Sequence, residues 1–153
     1  MLEQNGIRVI LTRDTDRSLE DPGASGKKAG DLKNRKAIIT ESEPDCAVSI
    51  HQNSYPDSSQ HGAQVFYPDG DPESQRLASL IQAQTLHLTG QENTRKIKAN
   101  TDYYLLRDAR VPTVIAEVCF LSNPSEAEMI TDVHIQERAA FAIAMGIMQY
   151  LYS

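Results

Sequence analysis

The strongest constraint on the fold is a repeated one: short runs in which consecutive residues, rather than alternate ones, are apolar. Ile7-Arg8-Val9-Ile10-Leu11-Thr12 is β-branched and mostly apolar, Cys46 to Ile50, Val65-Phe66-Tyr67 and Thr113 to Phe120 follow the same rule, and Tyr103-Tyr104-Leu105-Leu106 is a shorter case. A strand with one face in water alternates polar and apolar residues, so these runs read as strands buried on both faces. Helical spacing lies between them. Asp31 caps a helix in which Leu32, Ala37 and Ile38 share a face until Pro44-Asp45 breaks it, and Ser74 to Leu88 carries Leu77, Leu80, Ile81 and Leu88 with Gly90 as its stop. Asn123-Pro124 opens a short helix, and Asp132 opens a last one with Ala139, Ala142, Ile143, Gly146, Ile147 and Tyr150 on a packing stripe. Strands buried on both faces need cover on both sides. The alternation therefore predicts an α/β three-layer sandwich, a largely parallel sheet flanked by helices, with ligands bound beyond the carboxyl ends of its strands.

The 153 residues fit a single domain, 1–153. A formal charge of −6 argues against a nucleic-acid or anionic-membrane partner. No apolar run approaches the roughly 20 residues that cross a bilayer, and the first residues lack the pattern of a signal peptide. Met1 to Gln4 followed by Asn5-Gly6 reads as the last turn of a helix with its stop. Because so short a stub cannot offset the cost of helix nucleation, the expectation is that the natural fold starts upstream, with an opening strand and helix missing. Arg13 to Gly30 reads as a long surface loop. Cys46 and Cys119 sit inside apolar runs and read as buried free thiols, with a disulfide between neighbouring strands as the alternative.

Two residues stand out chemically. His51 follows Ser49-Ile50 at a strand's carboxyl end, where an imidazole can ligate a metal, and the Asn53 amide lies two residues on. The alternative for His51 is a hydrogen-bonded structural residue. Glu117 interrupts a run that otherwise calls for burial on both faces. A buried carboxylate must be paired, metal-linked or protonated with a raised pKa, and a pKa near neutrality suits a general base that later acts as an acid. The plainer account is a buried salt bridge to Arg107 or Arg110. His87 and His134 read as surface residues and His61 as part of a solvated loop. No His-Glu-x-x-His, Gly-x-Ser-x-Gly or P-loop pattern occurs.

Taken in order, Val9 to Asp14 with Asp16, then Arg35, Val48-Ser49-Ile50-His51-Gln52-Asn53, Gly62-Ala63-Gln64-Val65-Phe66-Tyr67 and Ala116-Glu117-Val118-Cys119-Phe120-Leu121-Ser122-Asn123 resemble the zinc-dependent N-acetylmuramoyl-L-alanine amidases of bacterial cell walls. Lys98 to Arg107 is similar to the spore-cortex branch of that family, whose setting is sporulation and germination. The resemblance implies hydrolysis of the amide between N-acetylmuramic acid and L-alanine in peptidoglycan, outside the cytoplasm, by a zinc ion held by two His and one Glu, with a second Glu doing acid-base work. His51 matches the second His ligand and Glu117 the catalytic Glu. Asn53 and Arg107 are candidate substrate contacts, and the Ser54 to His61 and Lys96 to Arg107 regions are candidate walls. The first His, in a Gly-His-Gly-Gly turn, and the Glu ligand should precede Met1. The expectation is therefore an N-terminally incomplete catalytic domain that binds zinc poorly and is inactive alone. An activating partner protein is left open. Two other readings stand beside this one: a non-catalytic wall-binding or partner-binding module on the same fold, and a zinc carboxypeptidase on a related sheet.

Overall fold

The computed structural model describes residues 1–20, 27–88 and 93–153. Helix α1 spans Lys27–Ser42, α2 Pro72–Thr85, α3 Pro124–Met129 and α4 Val133–Tyr152. Strands β1 (Ala47–Asn53), β2 (Gln64–Pro68), β3 (Lys98–Asn100) and β4 (Thr113–Phe120) form one sheet in the order β1-β4-β2-β3. β4 pairs parallel with β1 and β2 pairs parallel with β3, while β2 and β4 run antiparallel. The sheet is thus mostly parallel, as the apolar runs predict, but mixed.

The two faces of β4 explain why all of it is buried. Val114, Ala116 and Val118 point to one side with Val65, against Leu77 and Ile81 of α2 and Ala139, Ala142 and Ile143 of α4. On the other side Ile115 and Phe66 pack on Leu106 and Tyr103 of the segment that enters β4. α1 meets that segment through Lys36, whose Nζ donates to the Arg107 carbonyl and lies 5.3 Å from the centre of the Tyr104 ring. Side chains also tie the layers together. The buried Gln82 amide of α2 accepts from the Val65 N–H and donates to the Ala63 carbonyl, fixing the start of β2 on that helix.

Several expectations change. Ile7–Thr12 forms no strand: Ile10 and Leu11 are exposed, and without a ladder partner among the described residues its backbone has nothing to join. Tyr103–Leu106 is a turn rather than a strand, because the Asn100 side chain accepts from the Asp102 and Tyr103 N–H groups and the Tyr103 carbonyl accepts from Leu106 and Arg107. Asp31 lies within α1 instead of capping it, and its carboxylate takes the Arg35 guanidinium at 2.6 Å, which holds its pKa below the ordinary carboxylate value. The helix begins at Lys27, so the loop read over Arg13 to Gly30 is shorter; its residues 21–26, like the Gly90 stop, lie outside the described residues. The Asn123 and Asp132 caps form as predicted, and Asp71, with Pro72 behind it, caps α2. Gly6, at φ 76°, closes the single 3₁₀ turn Glu3–Asn5 as the Asn5-Gly6 pair suggests. Cys46 and Cys119 are free thiols, each pushed up to about 11 by burial.

α2 and α4 approach closely at Gly146, where an added Cβ would lie 2.7 Å from the Ile81 Cα. Replacing a helical glycine by alanine ordinarily gains up to about 1 kcal/mol, but here the methyl meets backbone, and overpacking of that kind costs about 1–3 kcal/mol. Gly146→Ala should therefore lower stability in urea unfolding, and a rise would mean that the two helices can part freely.

Candidate active site

β1 and β4 run side by side in the same direction, and their register sets His51 opposite Glu117. The antiparallel register of β2 sets Gln64 opposite the same Glu117. Register partners share a face of the sheet. His51, Glu117 and Gln64 therefore form a row across three strands, on the face that carries Ile115 and Phe66. Just past the row the register slips, Asn53 pairing with Phe120, so that β4 carries one extra residue where the two strands end. A bulge at that place bends the pair and re-aims the side chains that follow.

Glu117 is the centre of the row. It is only 7% exposed, its Oε2 is buried without a hydrogen-bond partner, and burial raises its pKa from the ordinary 4.5 to about 7. The salt-bridge account does not hold, since no described ion pair joins Glu117 to Arg107 or Arg110, and the Arg107 guanidinium donates to the Asp102 carbonyl at 2.7 Å. On one side the exposed His51 ring has its Nε2 2.9 Å from Ser49 Oγ. On the other, the Gln64 amide donates to the Lys96 carbonyl and accepts from Arg95 Nη1 at 3.1 Å. Arg95 also donates to the His61 carbonyl and to Gln60 Oε1, and lies 4.4 Å from the centre of the Phe120 ring. The Tyr103 ring, edge-on to Phe66 at 5.3 Å, sits above the same face, its phenol raised by burial and then by the charge of Glu117.

Asn53 stays with the row at the end of β1, where its side chain accepts from the Ser54 N–H and its carbonyl from Leu121. Arg107 does not. It lines a cleft of about 550 Å³ with Pro68, Asp71 and Asn100, at the carboxyl end of β2, whereas Glu117 pairs at the amino end of that strand. His87 and His134 are exposed as expected, and His61 turns its Nδ1 to the Ser59 carbonyl. Sequence reasoning missed Gln64, Arg95, Tyr103 and Glu126. The last is two residues past the Asn123-Pro124 cap and reads as an ordinary capping-box acid, yet its carboxylate turns away from the cap to the Gly62 and Phe120 N–H groups.

A zinc ion, which the resemblance implies, asks for three protein donors and a water in a catalytic site. Among the described residues no group of three or more His, Cys, Asp or Glu side chains could hold a metal ion. The row supplies one imidazole and one carboxylate, so these residues do not by themselves make up such a site.

Residues 1–149 match the N-acetylmuramoyl-L-alanine amidase family. The germination-specific N-acetylmuramoyl-L-alanine amidase of Bacillus subtilis is 37% identical over 152 residues, covering 97% of this chain and 64% of that protein. The chain thus spans somewhat less than two thirds of that relative's length. Among solved structures, the CwlD amidase of Clostridioides difficile, in complex with the GerS lipoprotein, superposes with a TM-score of 0.92 at 40% identity, over 98% of this chain and 78% of that one. The catalytic domain of CwlV, an N-acetylmuramoyl-L-alanine amidase from Bacillus (Paenibacillus) polymyxa, gives a TM-score of 0.82 at 30% identity, over 98% of this chain and 76% of that one.

The raised pKa of Glu117 has a consequence for stability. Below about pH 4.5 folded and unfolded chains both hold the proton, and burial of the carboxyl carries no charge penalty. Between about 4.5 and 7 only the folded chain holds it, so stability falls as the pH rises, and above about 7 the full penalty, roughly 3 kcal/mol, is present. In chelator, Glu117→Gln should therefore be more stable than the parent at pH 8 by up to about 3 kcal/mol, with the gap closing to under about 1 kcal/mol at pH 5. Equal denaturation midpoints at pH 8 would show that the folded state does not resist ionisation of Glu117.

Proposed function

Because the chain belongs to the N-acetylmuramoyl-L-alanine amidase family, we propose that it hydrolyses the amide between N-acetylmuramic acid and L-alanine in peptidoglycan, with Glu117 as general base and then general acid. One observation carries this reading. Glu117 is a buried carboxylate with an oxygen that no donor among the described residues occupies, next to an imidazole in strand register. A structural carboxylate in a core strand would be paired; one kept unpaired is available to a water.

The steps derived for this chain use only its own groups. A water beside Glu117 gives its proton to the carboxylate as its oxygen attacks the amide carbon. When the carbon–nitrogen bond breaks, Glu117 returns that proton to the departing amino group of L-alanine. A group that titrates near 7 can do both at neutral pH. The Tyr103 phenol and the Gln64 amide border the same space and offer donors to the substrate. His51, its ring set by Ser49, would serve as one donor to a metal that polarises the amide carbonyl, and the described residues do not by themselves complete such a site. Asn53, at the mouth of the row, is assigned to substrate, and Arg107 to the wall of the cleft at the far end of the sheet.

The similarity to a germination-specific amidase and to a CwlD amidase supports a setting in the bacterial cell wall, at the spore cortex during germination, outside the cytoplasmic membrane. That CwlD amidase was solved with a lipoprotein, which favours a protein partner for this chain as well. No described helix is long and apolar enough to cross a membrane.

Mass spectrometry of digested peptidoglycan tests the reading. The expected product is a stem peptide with a free L-alanine amino group, and Glu117→Gln should lower its rate at least about a hundredfold, within the usual range for general acid–base catalysis. Loss of a C-terminal amino acid from the stem would identify a carboxypeptidase instead. Binding to intact wall without any cleavage by zinc-loaded protein would leave a binding module.

A further inference from the structure

Glu126 is 2% exposed, and the row does not include it. Both of its carboxylate oxygens are taken by backbone. Oε1 accepts from the Gly62 N–H at 2.8 Å and Oε2 from the Phe120 N–H at 2.7 Å. Gly62 lies two residues before Gln64 and Phe120 three after Glu117, and Gln64 and Glu117 are register partners. The carboxylate therefore closes over the β2–β4 pair at the end where Glu117 stands. The residues around it extend the hold: Asn123 Nδ2 donates to the Gln60 carbonyl, Leu121 N–H to the Asn53 carbonyl and Tyr55 N–H to Ser122 Oγ. Gly62 has little freedom to drift, since at φ 88° an added Cβ would come 2.6 Å from Asn93 Oδ1.

We propose that Glu126 is a positioning residue for the catalytic row: by gathering the Gly62 and Phe120 amides on one carboxylate, it sets the spacing of Gln64 and Glu117 and so the direction of the Glu117 carboxyl. The catalytic consequence rests on the amidase reading; the clamp itself does not. The chemistry requires an acid here. Both partners are donors, and only a carboxylate offers an acceptor to each, whereas a glutamine of the same shape would set its NH₂ against one of the two N–H groups. A buried donor left without an acceptor destabilises its surroundings, and small displacements of a catalytic group lower turnover steeply.

The test compares the parent chain, Glu126→Gln and Gly146→Ala, the last a control that loosens the α2–α4 contact and leaves the clamp alone. In Glu126→Gln, amide hydrogen exchange at Gly62 or Phe120 should quicken about tenfold or more relative to other core amides. The kcat on peptidoglycan should fall about tenfold with KM within about twofold. NMR signals of Gln64 and Glu117 should shift. Gly146→Ala should quicken core exchange as a whole and leave both kcat and those signals near the parent values. Unchanged exchange at Gly62 and Phe120 would overturn the clamp. Faster exchange with unchanged kcat, or with unmoved Gln64 and Glu117 signals, would make Glu126 structural only. A parent without turnover, as expected of this chain alone, removes only the kcat comparison, and the exchange and signal shifts then decide the clamp. Should Glu126→Gln fail to fold, Glu126→Asp, which keeps two acceptors but draws them back by one methylene, is read by the same criteria.

Discussion

Everything in this molecule depends on how β4 holds a carboxylate in a strand that is buried along its whole length. A charge in that place is unfavourable unless something answers it, and no cation does so within the described residues. The protein instead surrounds Glu117 with groups that keep the strand in place without neutralising it. β1 and β2 fix the backbone on either side, Ile115 and Phe66 pack beside it, and Glu126 satisfies the amide three residues on. The two acids of this region are handled in opposite ways. Glu126 has an N–H on each oxygen, while the buried Oε2 of Glu117 has no hydrogen-bond partner among the described residues. The difference separates a carboxylate whose bonds are all met by backbone from one with acceptor capacity left over.

How much of this could be read in the residues depended on how local the cause was. The buried strand β4, helix caps at Asn123 and Asp132 and the stop at Gly6 depend on a few neighbouring residues, and they appear where the sequence puts them. β1 forms in its place but is not buried on both faces as its apolar run predicts, with Ile50 55% exposed. The placement of His51 and Glu117 in one row also follows once β1 and β4 are parallel neighbours, since His51 ends one apolar run and Glu117 interrupts the other. Ile7–Thr12 is different. Its composition is that of a strand, but a strand exists only with a partner, and pairing is a tertiary fact. Tyr103–Leu106 failed for the reverse reason, since the Asn100 side chain offers the backbone a local turn that no apolar count reveals. Glu126 was hidden behind a plausible capping role, and Gln64 by lying at the start of a strand whose antiparallel direction the sequence did not announce.

The two sides of the sheet are built differently. Beneath Val114, Ala116 and Val118, helices α2 and α4 approach so closely at Gly146 and Ile81 that no side chain separates them there, and the Gln82 amide is bonded directly to β2. The side that carries Glu117 is covered by the turn-rich residues 101–112, with Leu106 and Tyr103 on Phe66 and Ile115, and α1 meets that segment through Lys36. The strand thus rests on close helix packing on one side and carries a lighter cover on the side of Glu117.

The antiparallel direction of β2 also decides which parts of the chain can drift over evolutionary time. In an all-parallel sheet every segment that leaves a strand would border the cleft. Here the segment that enters β2, residues 54–63, stands beside Glu117, and the turn that leaves β2 at Asp69–Gly70 is at the other end. Insertions into residues 54–61 would reshape the rim without disturbing the ladder, provided Gly62 stays on Glu126. That stretch is a place where length can vary beside Glu117, while changes of length after Pro68 fall at the opposite end of the strand.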